Sequence, residues 1–100
     1  MTNVTLDKSK RSVTVDGKPA HVTMREYQVL CVLSDYQRYT TDEIMLAIYG
    51  DTIGGAEIAW FVRRLRLQGI EIDSKRFLGY LLTSDITVIE REPEAMGLDQ

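Results

Sequence analysis

A hundred residues make one domain and leave too few for a second; 44% of them are apolar and 27% charged, an ordinary balance for a soluble chain with one core. No apolar run approaches the roughly 20 residues of a membrane span, the first residues hold no secretory signal, and Cys31, the one cysteine, makes no internal disulfide. A cytoplasmic protein with Cys31 as a small buried hydrophobe is expected. The net charge of −3 speaks at first against a polyanionic partner.

In chain order, Val4 and Leu6 alternate with polar neighbours, and Val13 and Val15 do the same beyond a charged turn at Asp7–Arg11. Val15-Asp16-Gly17-Lys18 carries the signature of a tight hairpin, since Asp-Gly tolerates the positive φ values such turns need. With Ala20 and Val22 continuing as a third strand, a small N-terminal antiparallel sheet is expected. Thr23-Met24-Arg25-Glu26 is a capping box. Tyr27, Leu30, Cys31 and Leu33 follow at helical spacing, which predicts a helix over about 24–35. Thr40 or Thr41 ahead of Asp42 and Glu43 caps a second helix. Ile44, Met45, Ala47 and Ile48 form its apolar face and Gly50 ends it.

A loop, Gly50–Gly55, leads to a third helix over about 56–68, where Ile58, Val62 and Leu65 recur at i, i+4 and i+7. Past Gly69, Ile70 and Ile72 alternate with Glu71 and Asp73, and Leu78, Tyr80 and Leu82 resume the alternation. A hairpin over about 70–83 is expected, with Ser74-Lys75-Arg76-Phe77 as its basic tip. Ile86, Val88 and Ile89 would extend one of its strands. Residues 90–100, with Pro93 and few apolar side chains, read as a frayed acidic tail beyond a domain of residues 1–89.

The third helix carries the chemistry. At about 100° per residue, Trp60, Arg63, Arg64 and Leu67 lie opposite the apolar stripe, with Phe61 and Arg66 flanking it. Arginine can pair bidentately with guanine or hold phosphates, and an apolar side chain can meet a thymine methyl. Arg76 has the charge and reach to enter a narrow minor groove. Charge distribution supports this face. Five acids (Asp85, Glu90, Glu92, Glu94, Asp99) against Arg91 give residues 84–100 a charge of −4, leaving +1 over residues 1–83. Local charge, screened over about 10 Å, governs docking more than the total does.

Several stretches together resemble the OmpR/PhoB-type winged-helix effector domain of bacterial response regulators. Val22-Thr23-Met24-Arg25-Glu26-Tyr27…Leu30…Leu33 is similar to that family's first helix, and Tyr39-Thr40-Thr41-Asp42-Glu43-Ile44…Ile48-Tyr49-Gly50 to its second. Ile58…Val62-Arg63-Arg64-Leu65-Arg66 looks like its recognition helix, and Ile72-Asp73-Ser74-Lys75-Arg76-Phe77-Leu78-Gly79-Tyr80-Leu81-Leu82 like its wing. The resemblance implies an α+β winged helix-turn-helix: N-terminal sheet, three helices, C-terminal hairpin wing. It implies a partner, double-stranded DNA, met by the third helix in the major groove and the wing on the minor groove. The contacts would fall on Trp60, Phe61, Arg63, Arg64 and Arg66, and on Ser74, Lys75 and Arg76 of the wing. Head-to-tail homodimers on direct repeats, and contact with RNA polymerase or another transcription protein, are further implications. Ala59 and Trp60 depart from the family pattern, as does Phe77, which stands where the wing usually has glycine.

A second use of the same fold remains open: a protein-interaction module, a co-regulator or inhibitor, using the apolar set Trp60, Leu67 and Phe77. Catalysis is not expected. His21 and Cys31 make no zinc site, Gly54-Gly55 lacks the flanks of a phosphate loop, and the carboxylates fall at a helix start or in the tail. Neither a cofactor nor a small-molecule substrate is anticipated.

Overall fold

The computed structural model describes residues 2–51 and 56–90; Met1, loop residues 52–55 and all but Glu90 of the expected tail over 90–100 lie outside the described residues. Alternation in the first fifteen residues produces strands β1 (Asn3–Asp7) and β2 (Ser12–Val15), antiparallel, with Val4 opposite Val15 and Leu6 opposite Val13. Val4, Leu6 and Val13 are buried. Asp16 and Gly17 take φ of 52° and 82°, the two left-handed residues of a type I′ hairpin. That two-residue turn sets Lys18 directly against Val15, so the third strand, β3, is Lys18–Pro19. It falls earlier than the expected Ala20–Val22. Ala20 still donates its N–H to the Val13 carbonyl at 2.9 Å, but His21 sits outside any strand, exposed, its N–H on Gln68 Oε1.

Helix α1 (Met24–Leu33) begins with both halves of its capping box formed: Glu26 N–H donates to Thr23 Oγ1 and Thr23 N–H donates to Glu26 Oε1. It stops two residues short of the expected end, where Ser34 turns its N–H back to the Cys31 carbonyl. Cys31 is half-buried beside the core rather than inside it. Helix α2 (Thr41–Tyr49) repeats the device with Thr40 and Glu43. Helix α3 (Ala56–Leu67) ends in a Schellman turn: Gly69 N–H donates to the Arg66 carbonyl and Ile70 N–H to that of Leu65. Leu65 and Ile70, the apolar pair that accompanies such a turn, are both buried.

Strands β4 (Ile72–Lys75) and β5 (Gly79–Leu82) form the hairpin, Ile72 against Leu82 and Lys75 against Gly79. Tyr39 adds a one-residue bridge to Tyr80 through two backbone hydrogen bonds, of 2.9 and 2.7 Å, and so ties the segment before α2 to the wing. Buried side chains from all parts meet in one cluster: Leu30 and Leu33 of α1, Ile44 and Met45 of α2, Ile58, Val62 and Leu65 of α3, with Leu6, Ile72 and Leu82. Each contributes about 1.5–3 kcal/mol relative to exposure.

The last strand corrects an expectation. Ile86, Val88 and Ile89 do not lengthen the wing. They belong to β6 (Asp85–Ile89), which runs parallel to β1, Val4 beside Ile86 and Leu6 beside Val88. The first sheet is therefore mixed and four-stranded, in the order β3-β2-β1-β6. Ser84 directs the change. Fully buried, it accepts the Glu71 N–H on its hydroxyl at 2.7 Å, while Thr83 and Ser84 donate their own N–H groups to the Glu71 carbonyl. The ladder ends there and the chain crosses to the other sheet. Ile86 N–H, on the outer edge of β6, donates to the Tyr36 hydroxyl at 2.8 Å.

Candidate nucleic-acid interface

Packing fixes which side of α3 is free. Ile58, Val62 and Leu65 are fully buried, and the line opposite them carries Trp60 (55% exposed), Arg63 and Leu67 (75% exposed). Trp60 is not folded back on the core edge. Arg63 is exposed and has no ion pair or hydrogen bond with any other described residue. Phe61 is half-buried against the core.

Arg64 and Arg66 lie to the two sides of this line, and both are engaged. Arg64, expected on the outward face, is turned toward α1: its Nε donates to Glu26 Oε2 at 2.6 Å. The Glu26 side chain is only 2% exposed and that of Arg64 40%, so a nearly buried carboxylate is matched by a cation that keeps water on one side. Arg66 donates from Nε and Nη2 to the Ile72 carbonyl, at 3.0 and 2.6 Å, joining the end of α3 to the start of the wing. Both sit in the last turn of α3, where cations oppose the helix dipole favourably. The physical reason for the correction is angular. Residues 64 and 66 are about 100° either side of 65, within reach of neighbouring elements, whereas 63 is not.

Two further ties fix the helices. Arg25 donates to the Ile48 carbonyl at 2.8 Å and lies over the Tyr49 ring at 4.3 Å; Tyr49 in turn donates its hydroxyl to Glu57 Oε1 at 2.8 Å. Burial, with that bond to Glu57, pushes the Tyr49 phenol above its ordinary pKa, and the bond Tyr39 donates to Asp35 does the same for Tyr39.

On the wing, Ser74 and Lys75 are exposed residues of β4, and Lys75 also opens the turn. The turn is Lys75–Leu78, closed by Leu78 N–H donating to the Lys75 carbonyl at 3.0 Å. Arg38 spans the base, with Nη2 on Asp73 Oδ2 at 2.7 Å and Nη1 on the Gly79 carbonyl at 3.0 Å. Asp73, the one acid of the hairpin strands, is neutralised by this pair, so Lys75 and Arg76 leave the outer part cationic. Between wing and α2 start lies an open groove of about 670 Å³, lined by Thr40, Thr41, Ser74, Arg76, Phe77 and Tyr80 among others.

Sequence reading missed Glu26 and Arg38 as organisers. A capping box uses one glutamate oxygen, and the leftover oxygen of a core-adjacent Glu26 was the available signal. Arg38, in a turn with no periodicity, gave none. Among the described residues no group of three or more His, Cys, Asp or Glu side chains is arranged to hold a metal, and no helix is long and apolar enough to cross a membrane.

No protein-family model matches the sequence. A comparison with curated proteins likewise finds no match. Solved structures do match. The DNA-binding domain of the response regulator AdeR, in complex with an intercistronic region, superposes with a TM-score of 0.70 at 22% identity, over 84% of this chain and 97% of that one. The RstA DNA-binding domain of Klebsiella pneumoniae, in complex with RstA box, gives 0.68 at 22% identity, over 77% and 87%. The DNA-binding domain of CpxR from E. coli gives 0.65 at 20% identity, over 76% and 85%. These neighbours are response-regulator DNA-binding domains of the OmpR/PhoB type, the kind of domain the sequence resembles. The fold is that of a winged helix.

Proposed function

We propose that the protein is a sequence-specific, double-stranded-DNA-binding regulator of transcription, a cytoplasmic binding protein rather than an enzyme. One observation carries the reading: Arg63, with no ion pair or hydrogen bond among the described residues, stands beside exposed Trp60 on the outward line of α3, in a fold whose solved neighbours include domains in complex with DNA. In this reading α3 enters the major groove, where Arg63 reads a guanine and Trp60 packs on a thymine methyl or sugar. The wing meets the adjacent minor groove, with Lys75 and Arg76 against phosphates and the Ser74 hydroxyl as a donor. Arg64 and Arg66 contribute by holding α3, and the half-buried Phe61 supports it from the core side. Pairing of two copies on a direct repeat, and contact with RNA polymerase, extend the reading.

Binding of the full chain to a duplex recovered by selection from a random pool, followed across salt concentrations, tests it. Lys75→Ala and Arg76→Ala are each expected to flatten the log–log salt slope by about 0.9 if they neutralise one phosphate. Arg63→Ala is expected to cost about 1–3 kcal/mol and to relax selection at one base pair. A triple variant that binds as tightly as the wild type would overturn the docking face. The rival reading, a module that binds another transcription protein, draws on the exposure of Trp60 and Leu67 along one line. It requires no retention on duplex DNA even at low salt, together with loss of partner binding in Trp60→Ala.

A further inference from the structure

The wing tip holds a contradiction that DNA binding alone does not resolve. Phe77 takes φ of 68°, the left-handed region, at the third position of the Lys75–Leu78 turn, where such turns favour glycine or asparagine. A bulky side chain there is strained, and strain of this kind persists chiefly at functional positions. Among the described residues only the adjacent Arg76 lies over its ring, and no core contact offsets the strain. Phe77 is 87% exposed and outside the core cluster. Its neighbours are the exposed Lys75, the Arg76 guanidinium at 5.1 Å from its ring centroid, and the exposed Leu78.

From this we infer that Phe77 is a minor-groove wedge, inserted between two base pairs while Arg76 beside it lies along the groove. The inference rests on the DNA-binding reading and adds to it a mechanical consequence, a bent site. Three features select this occupant. The Arg76 guanidinium lies 5.1 Å from the ring centroid and exposed Lys75 precedes it in the chain, which suits a polyanion. The tip presents one ring and one leucine, far less than the roughly 800 Å² per partner of a standard protein interface. A minor groove about 6 Å wide excludes a helix but can take single side chains projecting from a hairpin tip. Apolar wedges flanked by arginine or lysine are a recurrent way to unstack one step and bend the duplex. Pyrimidine–purine steps unstack most easily, so the step beneath the wing should be TA or CA/TG.

The test uses the full chain and its selected duplex, with the bend read by energy transfer between duplex ends and unstacking by 2-aminopurine placed at each step under the wing. The wild type is expected to bend the duplex by roughly 20° or more and to brighten 2-aminopurine at one step. Phe77→Ala and Phe77→Gly are expected to abolish both signals and weaken binding about tenfold. Phe77→Gly should melt no lower than the wild type, since it relieves the left-handed strain. Phe77→Leu should keep part of the bend. If the variants retain bend and fluorescence, the wedge is wrong while DNA binding stands. The wedge is equally wrong if the variants lose affinity but the wild type does not bend the duplex. Failure of the wild type to bind any duplex would remove the DNA-binding reading itself, and the wedge with it.

Discussion

Gly79→Ala is expected to destabilise the protein by about 3–5 kcal/mol, with a fall in Tm of roughly 15–25 °C for a domain of this size. Two effects add. A Cβ at Gly79 would stand 2.0 Å from the Tyr39 carbonyl oxygen, 2.5 Å from its carbon and 2.7 Å from Thr40 Cα, all backbone atoms. Rotating a side chain away cannot relieve the overlap. The φ of 101° at Gly79 adds the strain an alanine meets in that region, on the order of 1–2 kcal/mol. Relief requires moving Tyr39, which breaks its two hydrogen bonds to Tyr80 and shifts Thr40, the N-cap of α2. Gly50→Ala supplies the control: φ is 75° but nothing lies within 4 Å of the added carbon. About 1 kcal/mol is expected there, from strain alone. Urea unfolding of the two variants separates the contributions; equal losses would mean that the wing does not approach Tyr39 as closely as described.

That close approach explains why Gly79-Tyr80, part of the wing stretch in the sequence, is legible there as a pattern but not as a mechanism. Features encoded within a few residues could be read directly: both capping boxes, the Asp-Gly hairpin, and the Ile58–Val62–Leu65 stripe each specify their own geometry. Features that depend on a partner distant in sequence could not. Ile86 and Val88 carry the same two-residue period whether they lengthen the wing or pair with β1, and only Ser84, bonded to Glu71, decides between these. Along α3 the period correctly set Trp60, Arg63 and Leu67 outward. It could not say that Arg64, on the shoulder of the same face, would meet Glu26. Three neighbouring arginines thus divide their labour: Arg63 has no partner among the described residues, while Arg64 and Arg66 are joined to other elements.

The division has a measurable consequence. Arg64→Ala is expected to cost about 2–3 kcal/mol, because it leaves the Glu26 carboxylate nearly buried with, among the described residues, only the Thr23 N–H to compensate it. Breaking a fully buried pair costs about 3–5 kcal/mol, and the 40% exposure of Arg64 lowers the figure through solvent screening. Glu26→Gln should cost less, about 1 kcal/mol, since the amide oxygen can still accept from Thr23 and the freed guanidinium can turn to water. The decisive comparison is the double variant. Once Arg64 is gone, Glu26→Gln removes an uncompensated charge, so Arg64→Ala/Glu26→Gln is expected to be more stable than Arg64→Ala alone, with a coupling of at least about 1 kcal/mol. Additive losses would mean the contact contributes nothing. Function separates the roles further. Measured well below Tm, Arg64→Ala should leave the salt slope of DNA binding unchanged, because Arg64 neutralises a carboxylate within the fold rather than a phosphate outside it. A slope flattened by about 0.9 would instead make Arg64 a phosphate contact, freed from Glu26 when the duplex arrives.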